Sequence, residues 1–231
     1  MYNNAVAPAS GQCYITAMTN QHSFTILLGG NLTVTPRLLA QVSGSRVIAA
    51  DSGMKHAAAL GVAPELWVGD FDSADSALLA ANATVAREAY SAAKDATDGA
   101  IAIEAALSRG AKKILLVGAL GGRFDHALSH GLQLLSLAVQ GFSGFASSGD
   151  EELYPLINQL ALPDLPKGTR ISLLGLGELE GLSIAGVRWP LEERHVHSGS
   201  TLTISNEAQG PVTIDLEQGQ ALVVVYPDTK A

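Results

Sequence analysis

The sequence predicts an α/β fold. An N-terminal parallel α/β domain takes residues 1–145, and a C-terminal all-β sandwich domain takes residues 146–231. Three observations carry this prediction. Up to about Gly141, short continuous apolar runs alternate with helix-like stretches, the pattern of strands covered on both faces by crossover helices. Beyond Gly141 the segments are short and β-like, broken by Gly and Pro, and no strong helix remains. The change near residues 140–148 is a shift of composition, with no long repeat or low-complexity tract around it.

The elements follow in order. "FTILLGG" (Phe24–Gly30) reads as a strand and turn, and "SRVIAADSG" (Ser45–Gly53) as a second strand leading into the helix-like "MKHAAALG". "ELWVGDFDS" is a third strand, and "TVAREAYSAA" gives a fourth strand and loop. "TDGAIAIEAALSRG" (Thr97–Gly110) predicts a helix with Thr97 or Asp98 near its N-cap and Gly110 at its end. "KKILLVGALGG" (Lys112–Gly122) is a fifth strand and turn, and "FDHALSHGLQLLSLAVQG" a helix ending at Gly141. The β-like segments after it are "SGFASSGDEELYPL", "TRISLLGLGELEGLSIAGVRWPL", "STLTISNEAQGPVTIDL" and "QALVVVYP".

Bulk properties narrow the function. At 231 residues the chain is long enough for a sizeable core, and 47% hydrophobic with 16% charged residues is an ordinary globular composition. The net charge of −8 and the lack of a basic patch argue against a nucleic-acid partner. No apolar run is long enough to span a bilayer. The N-terminal stretch lacks the basic and apolar regions of a signal peptide and reads as a loosely ordered lead-in, and Cys13 is the single cysteine. A cytoplasmic location is the expectation.

The polar residues concentrate at one edge. Asp51 follows "VIAA", Asp70 and Asp72 follow "LWV", Lys94, Asp95 and Asp98 precede a helix, and Arg123, Asp125 and His126 follow "ILLVGALGG". All lie at carboxyl ends of predicted strands, where open parallel sheets bind ligands. Asp70 and Asp72, one residue apart, repel unless a cation or a shared proton offsets them. The pair reads as metal ligands, as a phosphatase-like nucleophile loop, or as a solvated loop. Several acids with few cations suggest Mg²⁺, with Arg123 and Lys94 clamping phosphates and the Gly121–Gly122 backbone approaching an anion. Other motifs carry less. "GLGELEG" has the wrong spacing for a dinucleotide fingerprint, and no Walker A sequence is present. In "HALSH", His126 and His130 stand one helical turn apart, with His130 read as simply helical. "HVH" puts His195 and His197 on one face of a strand, read as a surface strand.

The ordered motifs "ADSG", "GDFDS", "KDATD", "GALGGRFDH", "VRWPL" and "ISNE" resemble the thiamin pyrophosphokinase (thiamin diphosphokinase) family from about Phe24 onward. The resemblance implies a homodimer that transfers pyrophosphate from ATP to the hydroxyl of thiamin, giving thiamin diphosphate and AMP with Mg²⁺. ATP and metal would lie on the α/β domain, and thiamin between it and the partner's β domain. By matching motif, Asp70, Asp72 and Asp98 would hold the metal. Asp51, Lys94, Arg123, Asp125 and His126 would meet ATP. Ser205 and Asn206 would face thiamin, and Trp189 would stack on its ring. Asp72, Asp98 and Arg123 would carry the chemistry, with Asp98 or Asp72 taking the proton. The chain departs from the family pattern at Ser52 and Lys55, where Gly and Asn are usual, and at Gly99–Ala100, where a Glu is common. Two other classes stand as alternatives. One is a non-catalytic thiamin- or nucleotide-binding relative. The other is a haloacid-dehalogenase-like phosphatase, for which Ala74 stands where Thr is wanted.

Overall fold

A computed structural model describes residues 22–71, 75–90 and 96–227. Cys13, Asp72, Ala74, Lys94 and Asp95 lie outside the described residues. Strands β1 (Ser23–Leu27), β2 (Arg46–Ala50), β3 (Leu66–Gly69) and β4 (Ala86–Ala89) pair in parallel, each with the next. On the other side of β1, β5 (Lys113–Val117) and β6 (Ser143–Ser147) extend the same parallel set. The block is ordered β6-β5-β1-β2-β3-β4, so strand order reverses between β1 and β5. That switch point is where a doubly wound sheet opens a crevice at its carboxyl edge.

The helices follow local signals. Helix α1 (Pro36–Val42) is capped by Thr35, whose hydroxyl accepts the Leu38 N–H at 3.1 Å, with Pro36 at its first position. The stretch read as helix-like, "MKHAAALG", starts in the second half of a 3₁₀ turn over Asp51–His56 and continues as α2 (Ala57–Leu60), a single α-helical turn that left-handed Gly61 ends. Helix α3 (Ser76–Ala81) buries no residue, which is why no amphipathic period marks it. Helices α4 (Asp98–Ser108) and α5 (Phe124–Val139) are those expected from the sequence.

The β-rich part continues the sheet. β6, which the sequence groups with the later β-like segments, pairs in parallel with β5 from Lys113↔Ser143 to Val117↔Ser147. Residue 145 therefore lies inside a strand of the parallel block. The chain then turns at Gly149, where an added Cβ would meet the Thr33 carbonyl oxygen at 1.7 Å, and pairing becomes antiparallel at β7 (Glu152–Leu156). The remaining strands are β8 (Gln159–Leu162), β9 (Arg170–Gly175), β10 (Leu179–Val187), β11 (Leu191–Val196), β12 (Asn206–Asp215) and β13 (Ala221–Tyr226). β13 bridges β7 and β9, while β8 and β10 both pair with β12 and β11 pairs with β10.

Alternation along the strands divides the core in two. On one face Leu27, Ala49, Trp67 and Leu115 join Tyr154, Leu173, Val223 and Ile214 in one cluster that runs from the parallel block into the β-rich part. On the other, Phe24, Ile26, Ile48 and Leu116 pack under Ile101 of α4 and Leu134 of α5. No described helix is long and apolar enough to cross a membrane.

Candidate active site

The carboxyl edge at the switch point holds a cavity of about 380 Å³, formed where β1, β2 and β5 end and α4 and α5 begin. Two backbone bonds extend the β1–β5 pairing into its floor, from Leu28 N–H to the Val117 carbonyl at 2.8 Å and from Gly30 N–H to that of Gly118 at 3.0 Å. The approach is so close that a Cβ on left-handed Gly118 would lie 2.4 Å from the Leu28 carbonyl oxygen. Glycine is required there by both space and backbone conformation.

Asp51 sits at the cavity in a left-handed conformation, φ +43°. Buried Trp67 fixes it by donating its indole N–H to the Asp51 carbonyl at 2.8 Å. The side chain's buried Oδ1 has no hydrogen-bond partner among the described residues. A buried acceptor left without a donor is costly, and a cation or a donor on a ligand would satisfy it. Next to it, Gly69 packs so closely that a Cβ there would stand 3.2 Å from the Asp51 Cα. Asp70 follows, half-buried, and then Phe71 at φ +59°, held edge-on against Trp67 with centroids 5.1 Å apart. Non-glycine residues in this region carry strain on the order of 1 kcal/mol or more, and Asp51 and Phe71 are two of them.

Asp98 opens α4 and also lines the cavity. Thr97 caps the helix by accepting the Ala100 N–H at 3.2 Å. Behind Asp98, a Cβ on Gly99 would press on Leu28 and on His130 Nε2, each at 3.2 Å, which accounts for glycine where a Glu is common nearby. His130 is buried and lines the cavity; its Nδ1–H donates to the Ala119 carbonyl at 3.2 Å, and burial holds its pKa below the ordinary value. The neutral ring then turns an unprotonated Nε2 toward Gly99. Arg123 and His126 line the mouth. Arg123 forms a two-pronged pair with Asp125, Nε–Oδ1 3.1 Å and Nη2–Oδ2 2.5 Å, with both side chains mostly exposed. An exposed pair of this kind contributes little to stability, so a phosphate can take the guanidinium without a large penalty. The cavity thus brings together Asp51, Asp98, Arg123 and His126, with Asp70 adjacent to Asp51.

The residues expected to meet thiamin lie elsewhere in the chain, and none of them lines this cavity. Trp189 is 54% exposed, with the Arg188 guanidinium 4.8 Å above its ring. Asn206 is buried, and its amide is engaged by the Trp189 backbone: Nδ2 donates to the Trp189 carbonyl at 2.8 Å and Oδ1 accepts its N–H at 3.2 Å. Ser205 is left-handed, φ +60°, its N–H held by Ser172 Oγ at 3.0 Å.

Residues 39–142 match the family model described as the thiamin pyrophosphokinase catalytic domain, and residues 158–220 match the thiamin pyrophosphokinase vitamin B1 binding domain. The chain belongs to the thiamin pyrophosphokinase family. It is an enzyme of that family, whose shared activity is the formation of thiamin diphosphate from thiamin. A thiamine pyrophosphokinase of Bacillus subtilis is 29% identical over 197 residues, covering 80% of this chain and 89% of that protein. The crystal structure of a thiamin pyrophosphokinase from Geobacillus thermodenitrificans superposes with a TM-score of 0.77 at 25% identity, covering 90% of this chain and 99% of the other. The fold extends to a Candida albicans thiamin pyrophosphokinase, TM-score 0.78 at 13% identity, with 97% and 96% covered. Family membership sets aside the phosphatase and the non-catalytic readings.

Within the family frame, the Ser52–Lys55 departure has a local structural account. Ser52 is not among the left-handed residues; the strained position is Asp51, so serine is tolerated. Lys55 donates to the Gly29 carbonyl at 2.7 Å, and His56 Nε2–H to that of Gly30 at 2.9 Å. Burial lowers the His56 pKa, which keeps this ring neutral. Together the two side chains hold the loop after β1. The sequence reading missed Gly29–Asn31, His56 and His130 as parts of the site; the Gly pair closing the first strand was the available signal.

Proposed function

We propose that this enzyme transfers pyrophosphate from ATP to the hydroxyl of thiamin, giving thiamin diphosphate and AMP with Mg²⁺. The supporting observation is the acid-walled cavity at the strand-order reversal, lined by Asp51, whose buried Oδ1 has no partner among the described residues. Hard oxygen donors of this kind fit Mg²⁺, which is held by carboxylates together with substrate phosphates. Asp70, Asp72 and Asp98 would hold the ion, and when bound it neutralises charge on the phosphate oxygens. Asp51, Lys94, Asp125 and His126 position the nucleotide beside them.

Asp98 or Asp72 accepts the proton of the thiamin hydroxyl as its oxygen bonds to the β-phosphorus. The bond from that phosphorus to the α,β-bridging oxygen breaks, and AMP leaves. Arg123 exchanges Asp125 for the phosphates and meets the developing charge. Residues through about 145 supply the nucleotide side, and the rest supply Trp189, Ser205 and Asn206 for thiamin. Trp189 stacks on the cationic ring, and Asn206 acts by fixing the Trp189 backbone.

We place that thiamin surface against the cavity of a second subunit, in a homodimer. Two features support this arrangement. Trp189, Leu202 and Ile204 are exposed in the β-rich part, and Phe124, Leu128 and Leu132 form an exposed stripe at i, i+4, i+8 on α5, starting at the cavity mouth. A cytoplasmic location completes the proposal.

The test is incubation with thiamin, ATP and Mg²⁺ and chromatography of the products. Thiamin diphosphate and AMP in equal amounts, lost with EDTA, are expected. ADP with thiamin monophosphate would place the attack at the wrong phosphorus. Trp189→Ala is expected to raise the KM for thiamin roughly tenfold with a smaller change in kcat, on a cation–π contact of about 1–2 kcal/mol. Steady-state kinetics in thiamin and in ATP separately check this, and the KM for ATP should not move.

A further inference from the structure

Away from the cavity, two short alternating sequences face each other: Glu178-Leu179-Glu180 and His195-Val196-His197. Leu179 of β10 and Val196 of β11 are register partners in an antiparallel pair, and both are buried. Side chains alternate across a strand, so the residues flanking this pair point to the opposite, solvent face. Antiparallel register then sets Glu178 beside His197 and Glu180 beside His195. The contacts agree. His195 Nε2 lies 2.8 Å from Glu178 Oε2 and 3.4 Å from Glu180 Oε1, and His197 Nδ1 lies 3.1 Å from Glu178 Oε2. The two imidazoles meet edge-on with centroids 4.3 Å apart. The second oxygen of Glu178 accepts the Ser198 N–H at 3.1 Å, which aims the first at the rings. Glu180 is held by its own N–H, which donates to the Gln218 carbonyl at 2.9 Å. Among the described residues, Glu178, His195 and His197 are the one group of three whose donor atoms all fall within 4.8 Å of one another.

We propose that these four side chains form a second cation site, selective for a borderline transition-metal ion such as Zn²⁺. Two imidazoles and two carboxylates suit Zn²⁺, whereas Mg²⁺ and Ca²⁺ prefer oxygen alone. Ligand distances of about 2.0–2.2 Å put neighbouring donors of a tetrahedral ion somewhat over 3 Å apart, close to the 2.8 and 3.1 Å at which Glu178 meets the two imidazoles and the 3.4 Å at which Glu180 meets His195. Two carboxylates balance the ion's charge. All four groups are partly exposed, so an ion can enter without opening the fold. The ion ties the turn between β9 and β10 to the end of β11, the terminal strand of the sheet order. A strand paired on one side alone gains most from such a tie.

The experiment uses the full chain, stripped with a chelator, dialysed, and titrated with Co²⁺ and then Zn²⁺ in millimolar Mg²⁺. One equivalent of Co²⁺ with the intense visible bands of a tetrahedral site is expected, displaced by Zn²⁺. The bands should vanish in the double variant His195→Ala with His197→Ala and persist in Asp98→Asn, which separates this site from the proposed Mg²⁺ site. Glu178→Gln should weaken Zn²⁺ binding roughly tenfold or more. Both imidazoles lie on the solvent face, so the double variant should fold, and its Mg²⁺-dependent turnover checks that. Undiminished Zn²⁺ uptake by the double variant would overturn the assignment. So would no uptake by the unaltered chain at micromolar Zn²⁺, which would leave a hydrogen-bonded surface cluster and nothing more.

Discussion

Asp98→Asn is expected to cut thiamin diphosphate formation by roughly a hundred- to thousandfold, the range seen when one group that stabilises developing charge is removed. The substitution keeps the size of the side chain at the first position of α4. The Thr97 cap to Ala100 does not involve the Asp98 side chain and should persist. The fold loses the favourable meeting of a carboxylate with a helix N-terminus, about 0.3–1 kcal/mol. For a chain of this size that lowers the melting temperature by at most a few degrees. The cavity loses one of the two carboxylates, Asp51 and Asp98, among its lining residues. In the proposed mechanism that charge holds Mg²⁺ and is one of the two candidate proton acceptors, so kcat should fall at every Mg²⁺ concentration. A mere weakening of metal affinity would instead be rescued by more Mg²⁺. Turnover measured across a Mg²⁺ titration, beside a thermal melt, separates the two. Near-normal turnover at saturating Mg²⁺ would remove Asp98 from the chemistry.

The parts of the fold legible in the sequence were those with the strongest local signals. β1, β2, β3 and β5 are nearly continuous apolar runs because both faces are covered, and α4 is bracketed by Thr97 and Gly110. The short helices α1 and α3 gave little: two turns at most, and in α3 no buried side chain. "SGFAS" has the look of an edge segment, and only its pairing with β5 makes it the last parallel strand. Asp51, Asp98, Arg123 and His126 were legible as candidates because strand ends in a parallel sheet share one edge. The loop at Gly29–Asn31, His56 and the inward face of His130 were not. Their place depends on β1 and β5 being neighbours, which no local pattern encodes. The same limit applied to Asn206, whose grip on Trp189 crosses seventeen residues. It applied also to Glu178, whose histidine partners are set by β10–β11 register.

Arg37→Ala is expected to produce the largest loss of stability, about 3 kcal/mol, because it strands a buried charge. Glu152 on β7 is fully buried and accepts four hydrogen bonds: Arg37 Nε at 2.6 Å and Nη2 at 3.0 Å, Gln41 Nε2 at 2.5 Å and Tyr154 Oη at 2.5 Å. Burial alone would lower the Arg37 pKa, but the hydrogen bond and charge of Glu152 outweigh it and the pKa is raised. Burial, and then the Glu152 charge, push the Tyr154 hydroxyl well above its ordinary value, so it stays a donor. The cluster stitches α1, which follows the first parallel strand, to the first strand of antiparallel pairing. Without Arg37 the carboxylate keeps Gln41 and Tyr154 but loses its countercharge, and desolvation is no longer offset. For a chain of this length, about 3 kcal/mol corresponds to a melting temperature lower by roughly 6–12 °C. The control is the double variant Arg37→Ala with Glu152→Leu, which removes both charges. Replacing a buried pair by apolar side chains is often nearly neutral, so the double variant should be more stable than the single one. Urea unfolding of the four proteins in this cycle measures the coupling. If Arg37→Ala alone lost under about 1 kcal/mol, or if the second substitution only added to the damage, the ion pair would not be what joins the two halves of the sheet.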